Sequence, residues 1–239
     1  CEFEGLTFSE SLRKLADRAG IRMPAPSERD DKEDYLRAQL IELGKFTLSF
    51  FSNALADPLK GSAARQYLKS RELKPETVRR FGIGYSPEGW SNFLDAAHAA
   101  GFKDPVLEAS GLVRRGERGN LFDFFRSRLM IPIRDVSSDV AAFGGRDLGD
   151  GVPKYINSPE NALYKKARVL YGLCEARDAM RREKRVILVE GYFDLMRCFD
   201  AGIENVVATC GTALTSEQAS LIHRYVPEVV IVYDADSAG

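Results

Sequence analysis

The sequence is poor in cysteine and histidine. It has four cysteines, at positions 1, 174, 198 and 210, with no Cys-x-x-Cys pair, and only two histidines, His98 and His223. A structural zinc site takes four nitrogen or sulfur ligands, usually in close pairs. No zinc is therefore expected in this chain, and the cysteines read as ordinary, mostly buried residues. No apolar run approaches the roughly 20 residues needed to cross a bilayer, and no signal peptide opens the chain. A soluble, cytoplasmic protein with no membrane partner is expected. Net charge is also scarce, with 34 Lys and Arg against 35 Asp and Glu. With 44% of its 239 residues hydrophobic, the chain is not a disordered one, and its length predicts one large domain or two modest ones. The initiator methionine is missing too, and the chain stops at Gly239. Both ends are expected to have been cut from something longer.

The balanced charge conceals a segregation. Residues 112–185 hold 16 Lys and Arg against 10 Asp and Glu, whereas residues 186–239 hold 2 against 8. A basic block suits partners that carry phosphate, and an acidic block suits divalent cations.

Hydrophobic spacing and turn residues give the elements. Residues 9–19 have helical spacing and 24–33 read as a polar, proline-broken linker. Residues 34–55 read as one long amphipathic helix, 61–69 as another, and Lys74-Pro75-Glu76 as the start of a short third, since proline suits a first turn. Residues 81–85 are expected to pass as a strand into a turn at Trp90, with Trp90 packed, and 92–100 to be helical. Leu129-Met-Ile-Pro-Ile133 and Val140-Ala-Ala-Phe143 predict a β-hairpin. Phe122, Phe124 and Phe125 read as core, residues 160–182 as helix, and the two histidines as surface or capping residues. Beyond Arg185 three apolar strands (186–189, 205–209 and 229–233) alternate with helices at 194–201 and 215–225. The second helix carries a Thr215/Gln218 capping box. That alternation predicts a parallel sheet covered on both faces. The fold class is therefore α/β, with an α+β part ahead of a partial parallel βαβαβ unit. The expected division is a helix and linker over 1–33, a basic α+β subdomain over 34–183, and the parallel-sheet subdomain over 184–239.

Ligands of open parallel sheets bind beyond the carboxyl ends of the strands. Glu190 and Gly191 follow the first strand directly, and Asp234 and Asp236 follow the third. Two strands would thus deliver three carboxylates to one edge, with nothing basic nearby in sequence to neutralise them. Crowded carboxylates repel unless a cation sits between them. An all-oxygen site of this kind suits Mg²⁺ or Mn²⁺ and points to phosphoryl transfer. Asp194, at a helix start, reads equally well as a metal ligand or as a cap.

Val189-Glu-Gly-Tyr-Phe-Asp194, Gly211-Thr212 and Tyr233-Asp-Ala-Asp-Ser-Ala-Gly239 resemble the TOPRIM module of primases, topoisomerases and some nucleases. Phe125-Arg-Ser-Arg-Leu-Met-Ile-Pro-Ile-Arg-Asp135, Phe143-Gly-Gly-Arg146, Pro153-Lys-Tyr-Ile-Asn-Ser-Pro-Glu160 and Tyr171-Gly-Leu173 resemble the RNA polymerase core of bacterial DnaG-type primases. The order and spacing match over nearly the whole chain. The resemblance implies synthesis of short RNA primers on single-stranded DNA from ribonucleoside triphosphates, by divalent-metal-dependent nucleotidyl transfer. It implies catalytic roles for Glu190, Asp234 and Asp236, with Asp194 a further metal ligand. It also implies nucleotide or template contacts from Arg71, Arg126, Arg128, Arg146, Lys154, Tyr155, Asn157 and Lys166. Further implied partners are a replicative helicase and a single-strand-binding protein, reached through parts outside this chain, at the bacterial replication fork. The family's N-terminal zinc domain is not among these residues, and a further acidic motif and helical subdomain are expected beyond Gly239. The alternatives are DNA cleavage of the topoisomerase or nuclease type, and a non-catalytic fragment that binds single-stranded DNA.

Overall fold

The structure, a computed structural model, describes residues 15, 16, 18, 19, 28–211 and 213–234. It divides into two compact units, residues 1–35 and 36–239. In the first, Ala19 N–H donates to Leu15 O at 3.0 Å, a turn of helix within the expected 9–19 segment. The rest of that segment lies outside the described residues.

Helix α1 (Glu28–Ala56) is longer than its periodicity predicted. Residues 28–33 form its first turns rather than a linker. The run Glu-Arg-Asp-Asp-Lys-Glu contains no helix breaker, and acidic residues near a helix N-terminus oppose the macrodipole favourably. Farther along, Leu40, Leu43, Thr47, Phe51, Ala54 and Leu55 are buried. Their three- and four-residue spacing marks the face turned to the core. Two short helices follow, α2 (Ser62–Ser70) and α3 (Pro75–Arg80), the latter with proline in its first turn.

A four-stranded antiparallel sheet comes next, built from β1 (Gly84–Ser86), β4 (Arg128–Arg134), β5 (Val140–Asp147) and β6 (Tyr155–Asn157) in that spatial order. The predicted β4–β5 hairpin is present. Pro132 sits mid-strand without cost to the ladder, because β1 pairs only with residues 128–130 and leaves an edge alongside Pro132. The expected strand over 81–85 is displaced to Gly84–Ser86, since Gly82 takes φ +66 in a turn. Between β1 and β4 lie α4 (Asn92–Ala99), α5 (Asp104–Ser110), and a small hairpin of β2 (Val113–Arg115) with β3 (Leu121–Asp123). Three-residue strands leave too little pattern to be read, and α5, β2, β3 and β6 were not anticipated. Phe51, Phe93, Phe125, Met130 and Phe143 fill the core between this sheet and the helices of its first face. Phe122 and Phe124 are only half-buried, and Trp90, expected to pack, is 65% exposed.

The second sheet is parallel, with β7 (Arg185–Val189) between β8 (Val206–Ala208) and β9 (Glu228–Ile231). Helix α7 (Tyr192–Asp200) links β7 to β8, and α8 (Ser216–His223) links β8 to β9. Both bonds of the predicted capping box form, Gln218 N–H to Thr215 Oγ1 and Thr215 N–H to Gln218 Oε1, each at 3.1 Å. One apolar cluster runs from Leu129, Ile131 and Ile133 of β4 to Val186, Leu188 and Val189 of β7, so the two sheets share a core. The sheet is not covered throughout. All of β9 is exposed.

The expected helix over 160–182 is much shorter, α6 (Leu173–Glu183). The Asn161 side chain accepts from the backbone N–H groups of Leu163 and Tyr164 and opens a turn instead. Gly172, at φ +78, places the chain in the left-handed region immediately before α6. Alanine and arginine favour helix, but these local bonds override them. His98 and His223 are exposed, His98 facing Asp104 at 2.8 Å.

Candidate active site

A cavity of about 710 Å³ opens at the carboxyl ends of all three parallel strands. From β7 comes Glu190, from the turn after β8 come Cys210 and Gly211, and from the end of β9 comes Asp234. Asp234 N–H donates to Glu190 Oε1 at 3.1 Å, and Cys210 N–H donates to Glu190 O at 2.9 Å. Glu190 is thus tied to both neighbouring strand ends. Asp194 lines the same cavity, and its Oδ2 accepts the Gly191 N–H at 2.9 Å, capping α7. Asp236 lies outside the described residues.

The opposite wall comes from the antiparallel sheet and the segment after it. Tyr155 and Asn157 of β6, Lys166, and Arg71 just beyond α2 all line the cavity. Asn157 Oδ1 accepts from the Tyr192 hydroxyl at 2.9 Å, which joins β6 to the first turn of α7. Gly144 makes that contact possible, since a Cβ there would stand 2.8 Å from the Tyr192 oxygen. Lys166 donates through Nζ to Gly211 O at 3.3 Å. Burial pushes the phenols of Tyr155 and Tyr164 up to about 12, and the Cys210 thiol well above its usual value, so all three stay protonated at neutral pH.

The loop carrying Arg71 is fixed to α7 by polar bonds. Arg197 donates to the carbonyls of Arg71 and Glu72 at 3.3 and 3.1 Å, and Asp200 accepts from the Lys74 N–H at 3.0 Å and from the Thr77 hydroxyl. One helix therefore sets both the Asp194 end of the cavity and the place of Arg71.

Sequence reasoning had no signal for Tyr67. Its hydroxyl accepts from Arg71 Nε at 2.8 Å and from Arg146 Nε. Arg146 also lies 5.0 Å from the Tyr155 ring centre. Lys154 is exposed beside Tyr155. Arg146 and Lys154 stand outside the cavity lining, and Arg126 and Arg128 are placed differently again. Arg128 is turned inward, 3.6 Å from Asp147 and bonded to the carbonyls of Gly145, Pro153 and Lys154. Arg126 stacks 4.1 Å over Trp90 and donates to Asp123 O, away from the cavity.

The cavity lining carries four carboxylates, from Glu160, Glu190, Asp194 and Asp234, against two cations, Arg71 and Lys166. That excess favours a bound cation. Among the described residues no three His, Cys, Asp or Glu side chains converge tightly enough to enclose an ion. Glu190 and Asp234 instead offer hard oxygen donors from two strand tips. This suits an ion that takes one or two carboxylates, keeps several waters and shares its remaining positions with phosphate. Among the described residues, no helix is long and apolar enough to cross a membrane.

Residues 50–177 match the family described as DNA primase catalytic core, N-terminal domain, and residues 184–239 match the Toprim domain. A DNA primase of Halalkalibacterium halodurans is 39% identical over 245 residues, a match that covers 100% of this chain and 40% of that protein. The chain thus spans well under half the length of this relative. The RNA polymerase domain of Mycobacterium tuberculosis primase DnaG superposes with a TM-score of 0.80 at 35% identity, covering 84% of this chain and 68% of that one. A DnaG primase catalytic domain bound to single-stranded DNA superposes at 0.79 with 38% identity, covering 86% and 64%. The chain belongs to the DnaG-type DNA primase family, of which it carries the catalytic-core and Toprim regions.

Proposed function

We propose that this chain is the catalytic core of an enzyme that joins ribonucleotides into short RNA primers on single-stranded DNA. The observation that carries the reading is the joining of Glu190 to Asp234 in one cavity with Arg71, Tyr155, Asn157 and Lys166. Residues 34–183 would supply the basic subdomain and 184–239 the acidic one.

In this reading Glu190 and Asp234, with Asp236 beyond the described residues, hold Mg²⁺ or Mn²⁺. The ion, when bound, lowers the pKa of the attacking hydroxyl and neutralises charge on the transferring phosphoryl group. Arg71, Arg146, Lys154 and Lys166 bind phosphate oxygens, the two arginines through their planar forks. Tyr155 offers a ring face to a base and Asn157 an amide edge. The 3′ oxygen bonds to the α-phosphorus as the bond to pyrophosphate breaks. Asp194 orders the start of α7 through Gly191, and Arg128 braces the segment beneath Lys154. Arg126 with Trp90 extends the basic surface along the template. The relative solved with single-stranded DNA supports the template assignment. A replicative helicase and a single-strand-binding protein belong to the same proposal, as does a place at the bacterial replication fork.

Full-length protein, incubated with single-stranded DNA, labelled ribonucleoside triphosphates and Mg²⁺ or Mn²⁺, should yield labelled RNA oligomers. Nicked DNA without RNA, or DNA binding alone, would overturn the reading.

A further inference from the structure

We infer that Tyr67 is a positioning residue that aims two arginines, Arg71 and Arg146, at a single phosphate-bearing ligand. The inference rests on the reading above, in which both arginines bind nucleotide or strand. Tyr67 and Arg71 are four residues apart around the end of α2, on the same side of the helix. Arg146 reaches the same hydroxyl from β5. Both guanidinium carbons also stand over the Tyr67 ring, at 5.2 and 4.9 Å from its centre. Each arginine uses Nε for the phenol. Among the described residues neither is paired with a carboxylate, and the one other side-chain group that Arg146 meets is the Tyr155 phenol. Their remaining N–H groups are left for an incoming acceptor.

The chemistry of the acceptor matters. Two like charges drawn to one point repel, and a carboxylate there would neutralise them and occupy their forks. A phenol oxygen accepts from both and stays neutral, so the pair keeps its full charge. Flanking rings, Phe193 against Arg71 at 5.7 Å and Tyr155 against Arg146 at 5.0 Å, limit how far either guanidinium can swing. Two fixed, uncompensated forks suit the oxygens of a phosphate and lose little freedom when they bind it. That phosphate belongs either to a nucleoside triphosphate or to a nucleic-acid backbone.

The test measures affinity of the full chain for two probes, Mg·ATP and a short fluorescent single-stranded oligodeoxynucleotide. Tyr67→Phe keeps the ring and removes the oxygen. It should weaken at least one probe by about 3- to 10-fold or more, the size of each of the two hydrogen bonds lost. The probe that responds identifies the source of the phosphate. In an Arg71→Ala/Arg146→Ala background the same change should have no further effect. Arg71→Lys, which retains the charge but loses the fork, should weaken binding with Tyr67 intact and checks that the arginine itself is used. If the arginine variants leave both affinities unchanged, the reading of the site falls, and this inference with it. If they weaken binding while Tyr67→Phe does not, or if Tyr67→Phe costs as much in the double-alanine background, Tyr67 is ordinary packing and the inference alone is overturned.

Discussion

Asp234 and Glu190 are joined directly, the backbone N–H of one donating to the side-chain oxygen of the other across 3.1 Å. Both residues line the same cavity, as a shared cation would require. Glu190→Gln and Asp234→Asn should each lower primer synthesis by the full-length protein at least about 100-fold, since metal stabilisation of transition-state charge is worth several kcal/mol. Binding of single-stranded DNA should hold steady or tighten as negative charge is removed. Activity and anisotropy measured side by side check both halves, and parallel loss of DNA binding would contradict the assignment.

Arg128 gives the opposite pattern. Its guanidinium is nearly buried and bonded to the carbonyls of Gly145, Pro153 and Lys154. Arg128→Ala strands those acceptors and should cost about 1–3 kcal/mol in urea unfolding. Its loss of DNA affinity should be smaller than that of Arg71→Ala.

A pH dependence follows from Glu175. The carboxyl lies 3.4 Å from Arg134, yet burial outweighs that cation and raises its pKa. A carboxyl with a raised folded pKa favours the folded state most strongly below its unfolded pKa of about 4.3, and that contribution is lost as pH rises through the folded value. Glu175→Gln removes the proton exchange. The variant should therefore gain stability relative to the parent as pH climbs from about 4 toward neutrality. Urea midpoints across that range would show it, and a constant difference would refute it.

Tyr171 carries a fully buried hydroxyl with no hydrogen-bonding partner among the described residues. Its ring stands edge-on to Tyr192, 4.7 Å between centres, and its backbone pairs with Ala208. Tyr171→Phe keeps both contacts and removes the orphan. Thermal unfolding should shift upward or stay put, with a gain of up to about 1 kcal/mol. A clear loss would mean that the oxygen has a partner.

The parallel unit was legible because its signals were local. Uninterrupted Val and Ile runs announced β7, β8 and β9, and Thr215 with Gln218 marked the start of α8 as drawn. Glu190 and Asp234 could be placed together because strand ends of a parallel sheet converge whatever lies between them. The polar network on the other wall was not legible. Tyr67 and Arg146 are 79 positions apart, and no spacing rule brings a helix tyrosine under a strand arginine. Arg128 looked like Arg146 in sequence, but only tertiary contact shows that it faces inward. Residues 160–172 misled for a related reason. Their composition favoured helix, while a single asparagine side chain captured the backbone N–H groups that a helix would have used.

Asp123 ties the start of α4 to a distant part of the chain. Its two carboxylate oxygens accept the N–H groups of Phe93 and Leu94 at 2.8 and 2.9 Å, while Ser91, at the N-cap of α4, makes no side-chain cap bond. The beginning of α4 is therefore written 30 residues downstream, in β3. Cut out as a peptide, the 92–99 stretch would have neither the length nor the cap to hold a helix in water. In the folded chain the cap of α4 is therefore complete only where β3 lies beside it.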